Sequence, residues 1–249
     1  MLKVIQNRIE QGCKTSSYPK EPINLYHRYR GVPIVDPDCP TEIVQQCADI
    51  CPQEAIDVEA KTIDIGKCTF CGHCEVDGEG KFVRFSEDFG LGAANREDLI
   101  TQGNLPDLAA HAKQEFKKLF GRSLQLRQVS AAGCNSCEAD TNVLNTPFFD
   151  LSRFGIDFVA SPRHADGIHV TGPISLNMKQ ALLDTYDAVP SPKIVIASGC
   201  CSISGGPFYG SDAVVGDLNS IIPVDLYIPG CPPHPLTTLH ALLKFFKEN

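Results

Sequence analysis

The chain has 249 residues, twelve of them cysteine, and carries a net charge of −8. That length suffices for a full core and for two domains, and the cysteine share lies below that of a small disulfide scaffold. The acidic balance excludes the basic surface a nucleic-acid partner asks for. The N-terminus MLKVIQNRIEQGC has no apolar signal region and no stretch reaches the length of a membrane span, so metal-binding thiols in a reducing cytosol are expected rather than disulfides.

In chain order, a helical start is followed by the polar, proline-bearing stretch SSYPKEPINLYHRYRGVPIVDPD, which cannot be one helix and is expected to drape over other elements. The first half then holds seven cysteines: Cys13, Cys39, Cys47, Cys51, Cys68, Cys71 and Cys74. Between them lie only short elements such as AIDVE and TIDIG, so this region needs an internal staple. The run KCTFCGHC spaces Cys68, Cys71 and Cys74 as C-x2-C-x2-C, and CADICP ends in Cys51-Pro52. In the bacterial two-cluster pattern a fourth cysteine, followed by proline, serves the other repeat's cluster. By that rule Cys51, Cys68, Cys71 and Cys74 complete one [4Fe-4S] cluster. A zinc site is the competing reading, but zinc sites commonly use paired C-x2-C knuckles instead of this triplet. A second cluster in this half is not expected, because Val44, Thr41 and Gly78 stand where its other cysteines belong. Cys39 and Cys47 then read as core residues.

The run REDLITQGNLPDLAAHAKQEFKKLFGRSL has a helical pattern with Gly121 as its stop. From Leu124 the pattern changes. LQLRQVS, IDFVAS, GIHVTG, KIVIASG and VDLYIPG are short apolar runs, each closing in a small or turn-forming residue, with helix-length segments such as SLNMKQALLDTYDAV between them. This alternation predicts an α/β domain with a mostly parallel sheet, whose sites form at the carboxyl ends of the strands. The last stretch, PLTTLHALLKFFKEN, reads as a terminal helix. The remaining five cysteines follow three of the strands, in AAGCNSCEAD, SGCCSISGG and GCPPHP. Three strand-end loops converging on one edge fit a four-thiolate site, holding either zinc or an iron–sulfur cluster. The adjacent Cys200 and Cys201 rarely reach disulfide geometry.

GCNSCE, SPRHADGIHVTG, GCCSISGG and YIPGCPPHP resemble the small subunit of complex-I-related, formate-hydrogenlyase-like [NiFe] hydrogenases, over about residues 124–240. YPKEP, RG followed by VDPD, GKCTFCGHCE and FSEDF are similar to the ferredoxin-like subunit of the same complexes, over about residues 1–100. The resemblance implies a fusion of the two: a ferredoxin-like iron–sulfur domain over 1–100, a helical linker over 101–123, and a flavodoxin-like proximal-cluster domain over 124–249. It implies a second [4Fe-4S] cluster on Cys134, Cys137, Cys201 and Cys231, with Cys200 a small packing residue and a ligand exchange between the two neighbours as the alternative. The two residues between Cys134 and Cys137 resemble the hydrogenases, whereas the quinone-reducing relatives carry adjacent cysteines there.

The function so implied is electron transfer, with a nickel–iron centre only in a large-subunit partner, because this chain's own C-x2-C pairs are committed to clusters. Complex-I-like peripheral and membrane subunits are the further partners expected, with a ferredoxin or a formate-dehydrogenase-type donor, on the cytoplasmic face of the inner membrane. The alternative is a complex-I-like quinone oxidoreductase module. Glu138, beside Cys137, is expected at the subunit contact or on a proton path, with a raised pKa. His164 in SPRHAD is expected to couple proton to electron movement. The loops GCNSCEAD, SPRHADG and GCPPHP are expected to form one interface.

Overall fold

The computed structural model describes residues 2–105, 108, 118–120 and 123–246. Helix α1 spans Leu2–Gln11 and buries none of its residues. The first half continues with α2 (Thr41–Asp49) and α3 (His73–Asp77). Strands β1 (Pro33–Val35) and β4 (Val83–Phe85) pair antiparallel. Strands β2 (Ile56–Asp57), β3 (Thr62–Asp64) and β5 (Ile100–Thr101) form a second antiparallel sheet. The helical linker expected over 101–123 lies in large part outside the described residues, and its first residue, Thr101, belongs to β5.

The second half realises the alternating pattern. Strands β6 (Leu124–Ser130), β7 (Ile156–Phe158), β8 (Gly167–Thr171), β9 (Ile194–Ser198) and β10 (Leu226–Ile228) form an all-parallel sheet in the order β7-β6-β8-β9-β10. This is the flavodoxin-like order, whose switch point lies between its first and third strands, here β6 and β8. Strands β8, β9 and β10 are buried at every residue, as strands covered on both faces must be. The connecting helices are α4 (Ser136–Val143), α5 (Leu176–Ala188), α6 (Cys200–Ser204) and α7 (Pro235–Phe246). Helix α5 starts where the Ser175 side chain accepts from the Met178 N–H at 3.3 Å, a capping bond that satisfies one free donor.

Alternate strand residues face two cores. On one face Val129, Ile168, Val170, Val195 and Ala197 pack with Val32, Val44, Ile63 and Leu99 of the first half. On the other, Leu124, Leu126, Ile196 and Ile228 pack with Leu239 and Phe245 of α7. The two halves therefore share a core.

The proline-bearing arm does drape over the second half. The Ser16 N–H donates to the Phe148 carbonyl (2.8 Å), and Arg153 donates to the carbonyls of Ser16 and Tyr18 (2.6 and 2.8 Å). Tyr18 bonds His240 Nδ1 at 2.6 Å, and Tyr29 bonds Thr237 Oγ1 at 3.1 Å.

Within the first half, Arg96 and Asp64 form an ion pair, bidentate at 2.9 and 2.6 Å and mostly shielded from water. The Asp64 carboxylate also accepts from the Gly66 N–H at 2.9 Å. Removing the guanidinium leaves a partly buried carboxylate short of a partner, between the small cost of an exposed pair and the large cost of a buried one. Arg96→Met is expected to destabilise the fold by about 2 kcal/mol, read as a lower melting temperature under anoxic conditions. An unchanged melting temperature would show that solvent replaces the arginine.

Candidate iron–sulfur sites

The N-terminal set is built by local backbone. Cys51 follows the end of α2, its N–H bonded to Ala48. The carbonyl of Asp64 accepts from the N–H groups of Lys67 and Cys68, both at 3.1 Å, and so starts the cysteine loop. The loop then turns through Phe70 (φ 55) and Gly72 (φ 81) into α3, which carries Cys74. Cys51, Cys68, Cys71 and Cys74 all line one cavity, closed by Ile63 and Phe85. Two main-chain donors point at sulfur: Phe70 N–H at Cys68 Sγ (3.2 Å) and Ala55 N–H at Cys51 Sγ (3.4 Å). Such bonds favour thiolates and tune a cluster bound to them. Burial pushes the Cys68 and Cys74 thiols up to about 12, with neighbouring sulfurs adding to it. Both therefore become ligands only when a bound cation supplies compensating charge, with release of protons. Four sulfurs around one cavity, with donors aimed at them, fit a [4Fe-4S] cluster.

Cys39 and Cys47 are buried, at 2% and 0% exposure, as core residues are. The Cys47 thiol faces the Cys74 carbonyl at 3.4 Å. A Cβ on Gly78 would stand 2.8 Å from Cys47 Sγ, so the residue in the fourth-ligand position has room only for hydrogen.

The C-terminal set sits at the carboxyl ends of the parallel strands. Cys134 and Cys137 follow β6, Cys201 lies in α6 after β9, and Cys231 follows β10. The thiol of Cys137 is raised by burial, then by Cys201 and by the neighbouring Glu138, and after them by Cys231 and Cys134. Glycines clear the space. A Cβ on Gly199 (φ +90) would stand 2.8 Å from Cys137 Sγ, and one on Gly206 (φ +50) would stand 3.0 Å from the sulfurs of both Cys200 and Cys201. Left-handed backbone and absent Cβ are both glycine properties. Cys200 is 1% exposed, and the neighbouring Cys201 and Cys231 sulfurs, with burial, push its thiol up. Beside it the Cys201 thiol is drawn down, and that of Cys231 to about 7. The donor chemistry fits a second cluster.

Glu138 is buried at 8% exposure, and its Oε1 accepts from Ser130 Oγ (2.6 Å) and Thr171 Oγ1 (2.5 Å) at the ends of β6 and β8. Burial raises its pKa, but the bonds from Ser130 and Thr171, aided by a backbone bond and His169, more than offset that and hold it below the ordinary carboxylate value. The expected upward shift is thus reversed: Glu138 is an ionised acceptor tying the Cys137 helix to two strands.

His164 is exposed and lies in the short 3-10 turn Pro162–His164, ahead of β8. The neighbouring Asp166 bonds to Gln125 and Ile194, near the amino ends of β6 and β9. The SPRHADG loop therefore sits toward the amino end of the sheet, and the expected interface of three loops does not include it. The cause is the parallel topology: the loop leads directly into β8, which runs parallel to β6 and β9, so it meets the sheet at the amino end. His169, which sequence patterning left inside a strand, is fully buried, with neither ring nitrogen hydrogen-bonded. An alternating apolar run gave no signal for it.

Residues 134–245 match the family model described as NADH ubiquinone oxidoreductase, 20 Kd subunit. Formate hydrogenlyase subunit 7 of Escherichia coli (strain K12) is 39% identical over 151 residues, 61% of this chain and 59% of that protein. The probable membrane-bound hydrogenase subunit mbhJ of Pyrococcus furiosus is 42% identical over 126 residues, 51% of this chain and 75% of that protein. A NADH-quinone oxidoreductase subunit of Carboxydothermus hydrogenoformans is 38% identical over 151 residues, 55% of this chain and 91% of that protein. On these likenesses and its parallel sheet, the chain belongs to the family of the NADH ubiquinone oxidoreductase 20 Kd subunit.

Proposed function

We propose that the chain is the electron-transfer small subunit of a multisubunit, membrane-associated [NiFe] hydrogenase, fused to a ferredoxin-like domain over residues 1–100. The observation that carries this reading is the gathering of Cys134, Cys137, Cys201 and Cys231 at the carboxyl ends of the sheet, with the hydrogenase-like C-x2-C spacing. Kinship with formate hydrogenlyase subunit 7 and the membrane-bound hydrogenase subunit supports it.

When bound, each [4Fe-4S] cluster supplies one-electron exchange. Cys51, Cys68, Cys71 and Cys74 hold one; Cys134, Cys137, Cys201 and Cys231 hold the other. The N–H groups of Ala55 and Phe70 stabilise thiolate charge at the first set. Glu138 keeps Cys137 in place and presents a fixed negative charge at the contact with the large subunit, where the nickel–iron centre belongs. His164 serves the protein's outer surface. No described helix is long and apolar enough to cross a membrane. Attachment through partner subunits on the cytoplasmic face is part of the same reading, supported by kinship with a membrane-bound hydrogenase subunit.

The kinship with a NADH-quinone oxidoreductase supports one other reading, a quinone-reducing module. Anoxic purification with metal analysis and EPR tests the ligand sets: about eight iron atoms per chain are expected, four for each set of four thiolates. Stoichiometric zinc, or about twelve iron atoms, would overturn them. Affinity isolation from native membranes, followed by nickel analysis of the captured large subunit, tests the activity. A nickel-free partner with quinone reductase activity decides for the module.

A further inference from the structure

The two cysteine sets meet along one seam. Ser204 Oγ lies 3.1 Å from the Gly66 carbonyl oxygen and 3.0 Å from that of Cys200. Gly66 is two residues from Cys68, and Cys200 adjoins Cys201. One hydroxyl thus closes the gap between two short lengths of covalent chain that each end on a proposed ligand. The contact is tight: a Cβ on Gly66 would stand 2.9 Å from Ile203 Cγ2, and equally close to Arg96 Nη1. It is also held from behind. Asp64 takes the Gly66 N–H on its carboxylate and the Cys68 N–H on its carbonyl, and Arg96 grips Asp64.

A second approach between the sets is open. Thr69 and Phe70 face Cys231 and Pro232 across a cavity of about 270 Å³. A cavity of about 170 Å³, lined by Pro52, Lys67, Ser204 and Gly206, flanks the seam, but the Ser204 contact itself is bonded. Electronic coupling decays more steeply across space than along bonds, and a hydrogen bond is a far smaller interruption than a cavity.

We infer that Ser204, through its bond to Gly66, is the contact that couples the N-terminal cysteine set electronically to the C-terminal set. This rests on the reading that both sets hold clusters. One electron leaves the reduced N-terminal site and reduces the C-terminal site; no bond is made or broken and no proton moves. Ser204 acts as a positioning and coupling residue, without touching iron.

The test uses the full chain carrying both clusters, purified without oxygen, as wild type, Ser204→Ala and Ser204→Thr. A flash-photoreduced flavin delivers one electron, and freeze-quenched EPR times its redistribution between the two signals. The splitting between the signals of the fully reduced protein gauges their separation. Ser204→Ala is expected to slow redistribution several-fold with the splitting unchanged, and Ser204→Thr, which keeps the hydroxyl, to hold the wild-type rate. A wild-type rate in Ser204→Ala overturns the inference. So does equal slowing in both variants, or slowing that comes with an altered splitting, since either makes spacing the cause. A single cluster signal in the wild type would instead overturn the two-cluster reading.

Discussion

Replacing Cys201 by serine is expected to remove the C-terminal cluster, whereas replacing Cys200 by alanine is expected to leave it in place. The two residues are neighbours and both are buried, so burial alone does not separate them. Their places in the motif do. Cys201 stands four residues before Gly205, where the resemblance places the ligand, and Cys200 stands where it places a small residue. Serine at 201 removes a soft sulfur that iron prefers; alanine at 200 removes only a small apolar volume. Iron per chain should fall from about eight to about four in Cys201→Ser and stay near about eight in Cys200→Ala. Loss with Cys200→Ala and retention with Cys201→Ser would reverse the ligand assignment.

Acid should weaken the fold through His169. Burial lowers its pKa to about 4, against a smaller opposing pull from the Glu138 charge. The unfolded chain takes up a proton near the ordinary value of about 6.5, while the folded chain stays neutral until about 4. Between those values the unfolded state binds more protons, so stability falls as the pH falls, by about 3 kcal/mol over the whole window. Above about 6.5 both states are neutral and the effect vanishes. His169→Gln should therefore flatten the decline in melting temperature between pH 7 and pH 5, compared with wild type. An equally steep decline in the variant would assign the acid sensitivity to other groups, the cluster thiolates foremost.

What could be read in the sequence was local. The apolar runs from LQLRQVS to VDLYIPG became the five parallel strands, because a strand buried on both faces announces itself residue by residue. The C-x2-C-x2-C run was legible for the same reason: a turn between neighbours places its three sulfurs. Cys51 needed a pattern rule, and the C-terminal set needed a resemblance, since three loops meet only once the sheet is built. The long-range bonds were not legible. Asp64 and Arg96, both in the first half, stand 32 residues apart, and Ser204 and Gly66, which join the halves, stand 138 apart. Nothing in TIDIG or in GCCSISGG names the other. SPRHADG misled because it was grouped with the cysteine loops, although it leads into a parallel strand and therefore meets the sheet at the amino end. The sign of the Glu138 shift depends on two hydroxyls, Ser130 and Thr171, that reach it from different strands.

The arm that crosses the second half also sets an order of events during synthesis. Tyr18 and His240 lie 222 residues apart, yet they share a 2.6 Å bond. Residues 16–29 leave the ribosome early and find their seats only when Arg153, then Thr237 and His240, have been made. Until then the cysteines of the N-terminal set, which all lie between residues 51 and 74, are already made, but the arm whose seats lie on the second half hangs loose. Gathering of that cysteine set and closure of the arm are thus separable in time, and a protease added during translation is expected to cut the arm before the second half seats it.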